Sequence, residues 1–241
     1  MTMSQRFKLQ LANTGLNSNA KQLGVPIEQL YLIDVVVDIA LIESSKLKLT
    51  YHILLHDSRL ANLFDWSQWQ QQQVKFTDYL WEQTCLECFI AGKNLLADAT
   101  GYIEVNASPS GRYALYYFSD YRQPDCLPPM PLYQANSNEQ ASIDWTDHPF
   151  NTLNINSLTL AKSVTATANG LSALTFTAFY DYNRSFTIDL NQWPSSLFVG
   201  GIKQLHPCAI LYFGSVALYF APRHATPPDF HQRQYWTSFK P

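Results

Sequence analysis

The sequence predicts an all-β chain built as an antiparallel β-sandwich. Segment after segment alternates apolar and polar residues with period two, which marks half-buried strands. No stretch sustains the longer period of an amphipathic helix. Aromatic residues make up 14% of the chain, with fourteen Tyr, fourteen Phe and six Trp, a composition that suits strands and stacking surfaces. The 241 residues are enough for one large β domain, and the whole of 1–241 reads as a single one.

The first thirty residues read as irregular, with Gly15, Gly24 and Pro26 interrupting any pattern. Tyr31, Ile33, Val35, Val37, Ile39 and Leu41 then alternate with Asp34 and Asp38. Leu47, Leu49, Tyr51, Ile53 and Leu55 form the next apolar face, so the two runs predict an antiparallel meander with one buried side. Residues 57–80 read as a loop in which Trp66 and Trp69 pack inward. Residues 123–150, rich in Pro and Asn, read as a long connection over the surface, with Trp145 and His148 as exposed candidates. Asn169-Gly170 predicts a hairpin turn, Gly214 interrupts the run from Ala209 to Phe220, and the tail segment Tyr235 to Phe239 suits an edge strand.

The central stretch runs from Trp81 to Arg122. By parity, Leu86, Cys88 and Ile90 share one face and Trp81, Cys85, Glu87 and Phe89 the other. Ile103, Val105 and Ala107 share a face, with Tyr102, Glu104, Asn106 and Ser108 opposite. If residues 82–90 and 102–108 pair, Glu87 can lie opposite Glu104, and Cys85 opposite Asn106. Two carboxylates and an amide on one face predict either a wet sheet surface or a binding surface, and Trp81, Phe89 and Tyr102 on that face favour binding. Ser108-Pro109-Ser110-Gly111 predicts a turn.

These residues also carry a resemblance. Trp81-Glu82-x-Thr84-Cys85-x-Glu87, then Glu104-x-Asn106-x-Ser108-Pro109-Ser110-Gly111, then Tyr121-Arg122, resembles the DOMON-like family related to family 9 carbohydrate-binding modules. Pro228-Asp229-Phe230-His231 is similar to that family's C-terminal signature. The resemblance implies a β-sandwich, here expected to be of jelly-roll type. It implies a sugar site at Trp81, Glu87 and Asn106, with a second stacking aromatic from the C-terminal third. Glu104 joins this expected ligand-binding set by parity. Glu82, Arg122, Asp229 and His231 are secondary candidates.

Several chemistries are weighed by the same residues. Glu82, Glu87 and Glu104 raise a glycoside hydrolase, which needs two carboxylates set apart across the bond. Asp229 and His231, two apart, could form an Asp–His relay. Cys85-x-x-Cys88 invites zinc, but residues three apart on a strand face opposite ways and no second pair follows. Haem would need an axial pair, and Met1, Met3 and Met130 lie outside the central strands, which leaves His148 and His206 as unpaired candidates. No loop carries a calcium-type ligand series. The expected protein therefore holds no metal or cofactor and binds a carbohydrate-like small molecule without catalysis. A hydrolytic enzyme and a protein-interaction module are the alternatives. A net charge of −3 without a basic tract argues against nucleic acid. The N-terminal residues lack a signal-peptide core and no apolar run spans a membrane, so the expected location is cytoplasmic, with four reduced cysteines. Nothing in the sequence speaks to oligomeric state.

Overall fold

The computed structural model describes residues 3–43, 45–92, 101–145, 157–166, 172–193 and 201–240. Its strands are β1 (Met3–Leu11), β2 (Asp34–Ile42), β3 (Lys46–Leu55), β4 (Cys85–Gly92), β5 (Tyr102–Ala107) and β6 (Tyr113–Phe118). They continue with β7 (Ile143–Asp144), β8 (Ser157–Ala166), β9 (Ser172–Asp189), β10 (Ile202–Phe213), β11 (Val216–Ala221) and β12 (Thr237–Ser238). Short helices are α1 (Leu16–Leu23), α2 (Ile27–Tyr31) and α3 (Ser58–Leu63). All the strand pairings are antiparallel, in the order β6-β5-β4-β10-β11-β1-β2-β3-β9-β7, with β8 on β9 and β12 on β10.

Strand β1 is the joint between two half-sheets. Its first seven residues pair with β2, and Gln10 and Leu11 pair with β11. The far ends of the order are joined by residues 130–144. Pro131 bridges to Tyr116 and the Leu132 N–H donates to the Leu115 carbonyl at 2.8 Å, after which the chain enters β7 and pairs with β9. The result is a mostly β, antiparallel sheet nearly closed into a barrel-like shape. The half-sheets enclose one core, in which Val35, Val37, Leu49 and Ile53 are buried with Leu86, Cys88, Ile90, Ile103 and Val105. The Tyr51 hydroxyl crosses that core and donates to the Glu87 carbonyl at 2.5 Å. This is the alternation the sequence predicts: on β3 every second residue is buried.

A second core lies on the outer face of the β6-β5-β4-β10 half-sheet. There Cys85, Phe89, Tyr102, Tyr116 and Phe118 are covered by Phe230 and Trp236 of the C-terminal tail. The tail is held by β12, which pairs with Gln204 and Leu205, and by the Trp236 Nε1–H donating to the Phe230 carbonyl at 2.8 Å. The expected edge strand is thus present, and it anchors a cover.

Four expectations need correction. Residues 1–30 are not irregular. Phe7 and Leu9 face the core while Lys8 and Gln10 face out, and Gln5 at an inward position leaves β1 only a short apolar alternation in the sequence. Helix α1 buries Leu16, Ala20 and Leu23 and is bounded by Gly15 and Gly24, both left-handed, at φ 71° and 68°. Helix α2 takes Tyr31, so the following strand begins at Asp34. Residues 57–80 contain α3, capped by the Asp57 carboxylate accepting from the Leu60 N–H at 2.9 Å. Trp145 is buried, packed on Phe186 with ring centroids 5.5 Å apart, because the 130–144 segment closes the sheet rather than crossing the surface. The turn expected at Asn169-Gly170 and the candidate His148 lie outside the described residues, although β8 and β9 on either side of that turn do pair.

Candidate functional site

The site is built on four strands whose outward residues fall into rows. One row runs Cys208, Glu87, Asn106, Ala114 across β10, β4, β5 and β6, and the next runs His206, Phe89, Glu104, Tyr116. Glu87, Glu104 and Asn106 therefore share one face, as parity predicts. The register differs by two residues from the expected one: Glu87 lies opposite Asn106, and Glu104 opposite Phe89. The two-residue shift keeps the face and removes the unfavourable direct pairing of two carboxyls, which become diagonal neighbours. Cys85 and Cys88 face opposite ways, into the outer and the inner core.

These rows floor a cavity of about 380 Å³, near the lower end of the roughly 300–1,000 Å³ usual for small-molecule sites. Glu87, Phe89 and Glu104 line its base. Trp81, Ile210 and Tyr219 line one part, Phe118, Arg122, Pro124, Leu127 and Pro129 another, and Pro228 to His231 the tail side. Trp81 stands in the 3-10 turn Leu80–Glu82, entered through Tyr79 at φ 59°, and packs on Tyr79 and Tyr116. Glu82, on the same turn, is exposed and does not line the cavity.

Asn106 is fully buried and does not line the cavity either. Its amide donates to Glu104 Oε1 at 2.7 Å, so it positions Glu104 rather than meeting a ligand. Its own Oδ1 has no hydrogen-bond partner. Burial pushes the Glu104 carboxyl up to about 7, against the pull of the Asn106 amide and the Arg122 charge. Burial, then the charge of Glu104, pushes Glu87 well above the usual carboxylate range, with only the Cys85 thiol acting the other way.

Asp229 and His231 do not form a relay. Asp229 accepts the His231 backbone N–H at 3.1 Å, the Tyr121 hydroxyl at 2.6 Å, Arg122 Nη2 at 3.0 Å and Gln232 Nε2 at 3.3 Å. These bonds tie the 119–123 turn to the tail and hold Asp229 below its ordinary range despite its burial. The imidazole is instead oriented by Tyr102, whose hydroxyl lies 2.7 Å from His231 Nδ1 and accepts the Arg122 N–H at 3.1 Å. Tyr102 thus holds the ring through Nδ1 and leaves Nε2 facing Glu104. Nε2 stands 3.6 Å from Glu104 Oε2. Burial, and then the nearby Arg122 charge, pushes His231 down to about 3, so it faces Glu104 as a neutral ring.

The structure thus brings together Trp81, Glu87, Glu104, Arg122, Asp229 and His231. Of the residues not expected, Phe118 could have been found by extending the Tyr102 parity to β6, and Phe230 sits inside the quoted C-terminal motif. Tyr219 and Ile210 carried no local signal, because only the long-range pairing of β10 with β4 and β11 places them here. His206 is buried in the outer core, stacked on Trp236 at 6.1 Å, with Nδ1 unpartnered and its basicity lowered by burial to about 3. Among the described residues no cluster of three metal-ligating side chains occurs, and no helix is long and apolar enough to cross a membrane. No family model, no curated protein and no solved structure matches this chain.

Proposed function

We propose that this cavity binds a carbohydrate or similar polyhydroxylated small molecule without turning it over. The observation that carries the reading is the cavity's composition. Hydrogen-bonding carboxyls, Glu87 and Glu104, lie at its base, and the aromatic rings of Trp81, Phe118 and Tyr219 stand among its walls. Sugar hydroxyls need acceptors and donors, and the apolar face of a pyranose needs a flat ring beside it. Tyr219, 38% exposed, is the candidate for the second stacking aromatic. The reading keeps the likeness to the DOMON-like family and takes the two facing half-sheets as a sandwich of jelly-roll type. It also keeps a cytoplasmic location, which suits four free thiols.

A second reading is hydrolytic. Glu104, at about 7, is poised between acid and base beside another carboxyl on the cavity floor. The two are separated by a calorimetric screen of mono- and oligosaccharides, followed by prolonged incubation of any ligand and product analysis. Binding without product is expected, and Trp81→Ala should weaken it by about tenfold or more through loss of the platform. Product that disappears in Glu104→Gln would replace the binding reading with the enzymatic one. Absence of binding by every sugar at millimolar concentration would end both.

A further inference from the structure

We propose that the sugar held here bears a free ammonium group, so that the ligand is an amino sugar whose nitrogen meets Glu87 and Glu104. The inference rests on the carbohydrate reading above and sharpens it. Charge carries the argument. Among the described residues, four carboxyl groups line the cavity, Glu87, Glu104, Asp125 and Asp229, against one guanidinium, Arg122. That guanidinium is committed to Asp229 at 3.0 Å. The two inner carboxyls are 3% and 5% exposed, and what exposure they have is to the cavity. Among the described residues no cation acts on Glu87, and its side chain has the Cys85 thiol as its neighbour on β4.

The other titratable groups around the pair do not supply a charge. Cys208 faces Glu87 from β10, and Tyr102 and Tyr116 flank Glu104 from β5 and β6; all three are neutral. His231, from the tail, is neutral above about 3. Arg122 lowers Glu104 only as the weakest of the influences on it. Beside the pair, Asn106 Oδ1 is buried without a partner.

A buried carboxylate requires either a proton or a cation. A neutral sugar leaves both carboxyls as they are, because hydroxyls bring no charge. A primary ammonium brings three N–H donors and the missing charge, and its flank suits the faces of Trp81 and Tyr219. Its arrival lets one of the two carboxyls ionise, so binding expels up to one proton and tightens as the solution becomes less acidic, until the ammonium itself begins to lose its proton.

The test uses the full chain and four probes: D-glucosamine, D-glucose, N-acetyl-D-glucosamine and cyclohexylamine, titrated by calorimetry at about pH 6, where the free amines stay charged. Glucosamine should bind at least about tenfold more tightly than glucose or the N-acetyl sugar, the scale set by one hydrogen bond to a charged group. Glu87→Gln should reduce that preference to about threefold or less. Should that variant fail to fold, the wild-type protein still decides. The heat of glucosamine binding in two buffers of different ionisation enthalpy should differ in the direction of proton release. Equal affinity for glucose and glucosamine, or equal heats in the two buffers, would overturn the ammonium inference and leave the carbohydrate reading standing. Binding of cyclohexylamine but of no sugar would overturn the carbohydrate reading, and the amino sugar with it. No binding by any probe at millimolar concentration would overturn both.

Discussion

Trp236→Ala should destabilise the protein by about 3–5 kcal/mol, the range for emptying a buried aromatic site. The indole is 2% exposed and closes the outer core. Its centroid lies 5.2 Å from Tyr102, edge-on, 5.7 Å from Phe89 and 6.1 Å from His206. Its N–H is bonded to the Phe230 carbonyl, which the truncation would leave without that donor. The effect should also reach function. Phe230 and His231 form the tail side of the cavity, so loosening the tail should abolish sugar binding under conditions where the variant remains folded. Tyr219→Ala is the contrast, since that ring is partly exposed: it should cost little stability and weaken binding only. Chemical denaturation of both variants checks this. A loss below about 1 kcal/mol for Trp236→Ala would show that the tail is an ornament to the half-sheet rather than the cover of a core.

Glu104→Gln should change how stability depends on pH. The folded protein holds the Glu104 proton up to about 7, whereas the unperturbed carboxyl loses it near 4.5. Between those values the folded state binds more protons than the unfolded one, so stability from this group is complete below 4.5 and falls as the pH rises through 7. The shift amounts to about 3 kcal/mol at most. Glu87, raised by burial and by Glu104, acts in the same sense. His206 and His231 act oppositely: held neutral down to about 3, they withdraw stability as the pH falls from their ordinary range towards that value. Glu104→Gln removes the first contribution and leaves the histidines in place. Its stability relative to wild type should therefore rise between about pH 4.5 and 7 and level off above. Unfolding midpoints measured across that range decide it. A difference that stays flat with pH would mean that Glu104 is solvated as an ordinary surface carboxyl.

The inner core was legible in the sequence because it is local. Val35, Val37 and Ile39 alternate on one strand, Leu47 to Leu55 on the next, and both runs are long enough to exceed chance. The shared face of Glu87, Glu104 and Asn106 was legible for the same reason, since parity survives any even error of register. What parity could not give was the choice between Glu104 and Asn106 as the direct partner of Glu87. Nor could it say that Asn106 would sink beneath the cavity while Glu104 stayed open to it. The tail's role escaped because it depends on sequence-distant pairs: Trp236 on Phe89, His231 on Tyr102, Tyr219 brought alongside through β10. The N-terminal elements escaped because eight residues of α1 give little more than two helical turns, and the polar Gln5 leaves β1 only Phe7, Leu9 and Leu11 as its apolar face. Their place is set by packing and by the left-handed glycines at each end of α1.

The most direct measurement is a crystal structure of the protein soaked with the tightest-binding sugar of the calorimetric screen. One ring is expected in the cavity between the Glu87–Glu104 floor and the tail, lying against Trp81 or Tyr219, with a polar substituent in hydrogen-bond range of Glu104. A sugar seated on any other surface while this cavity holds only solvent would contradict it.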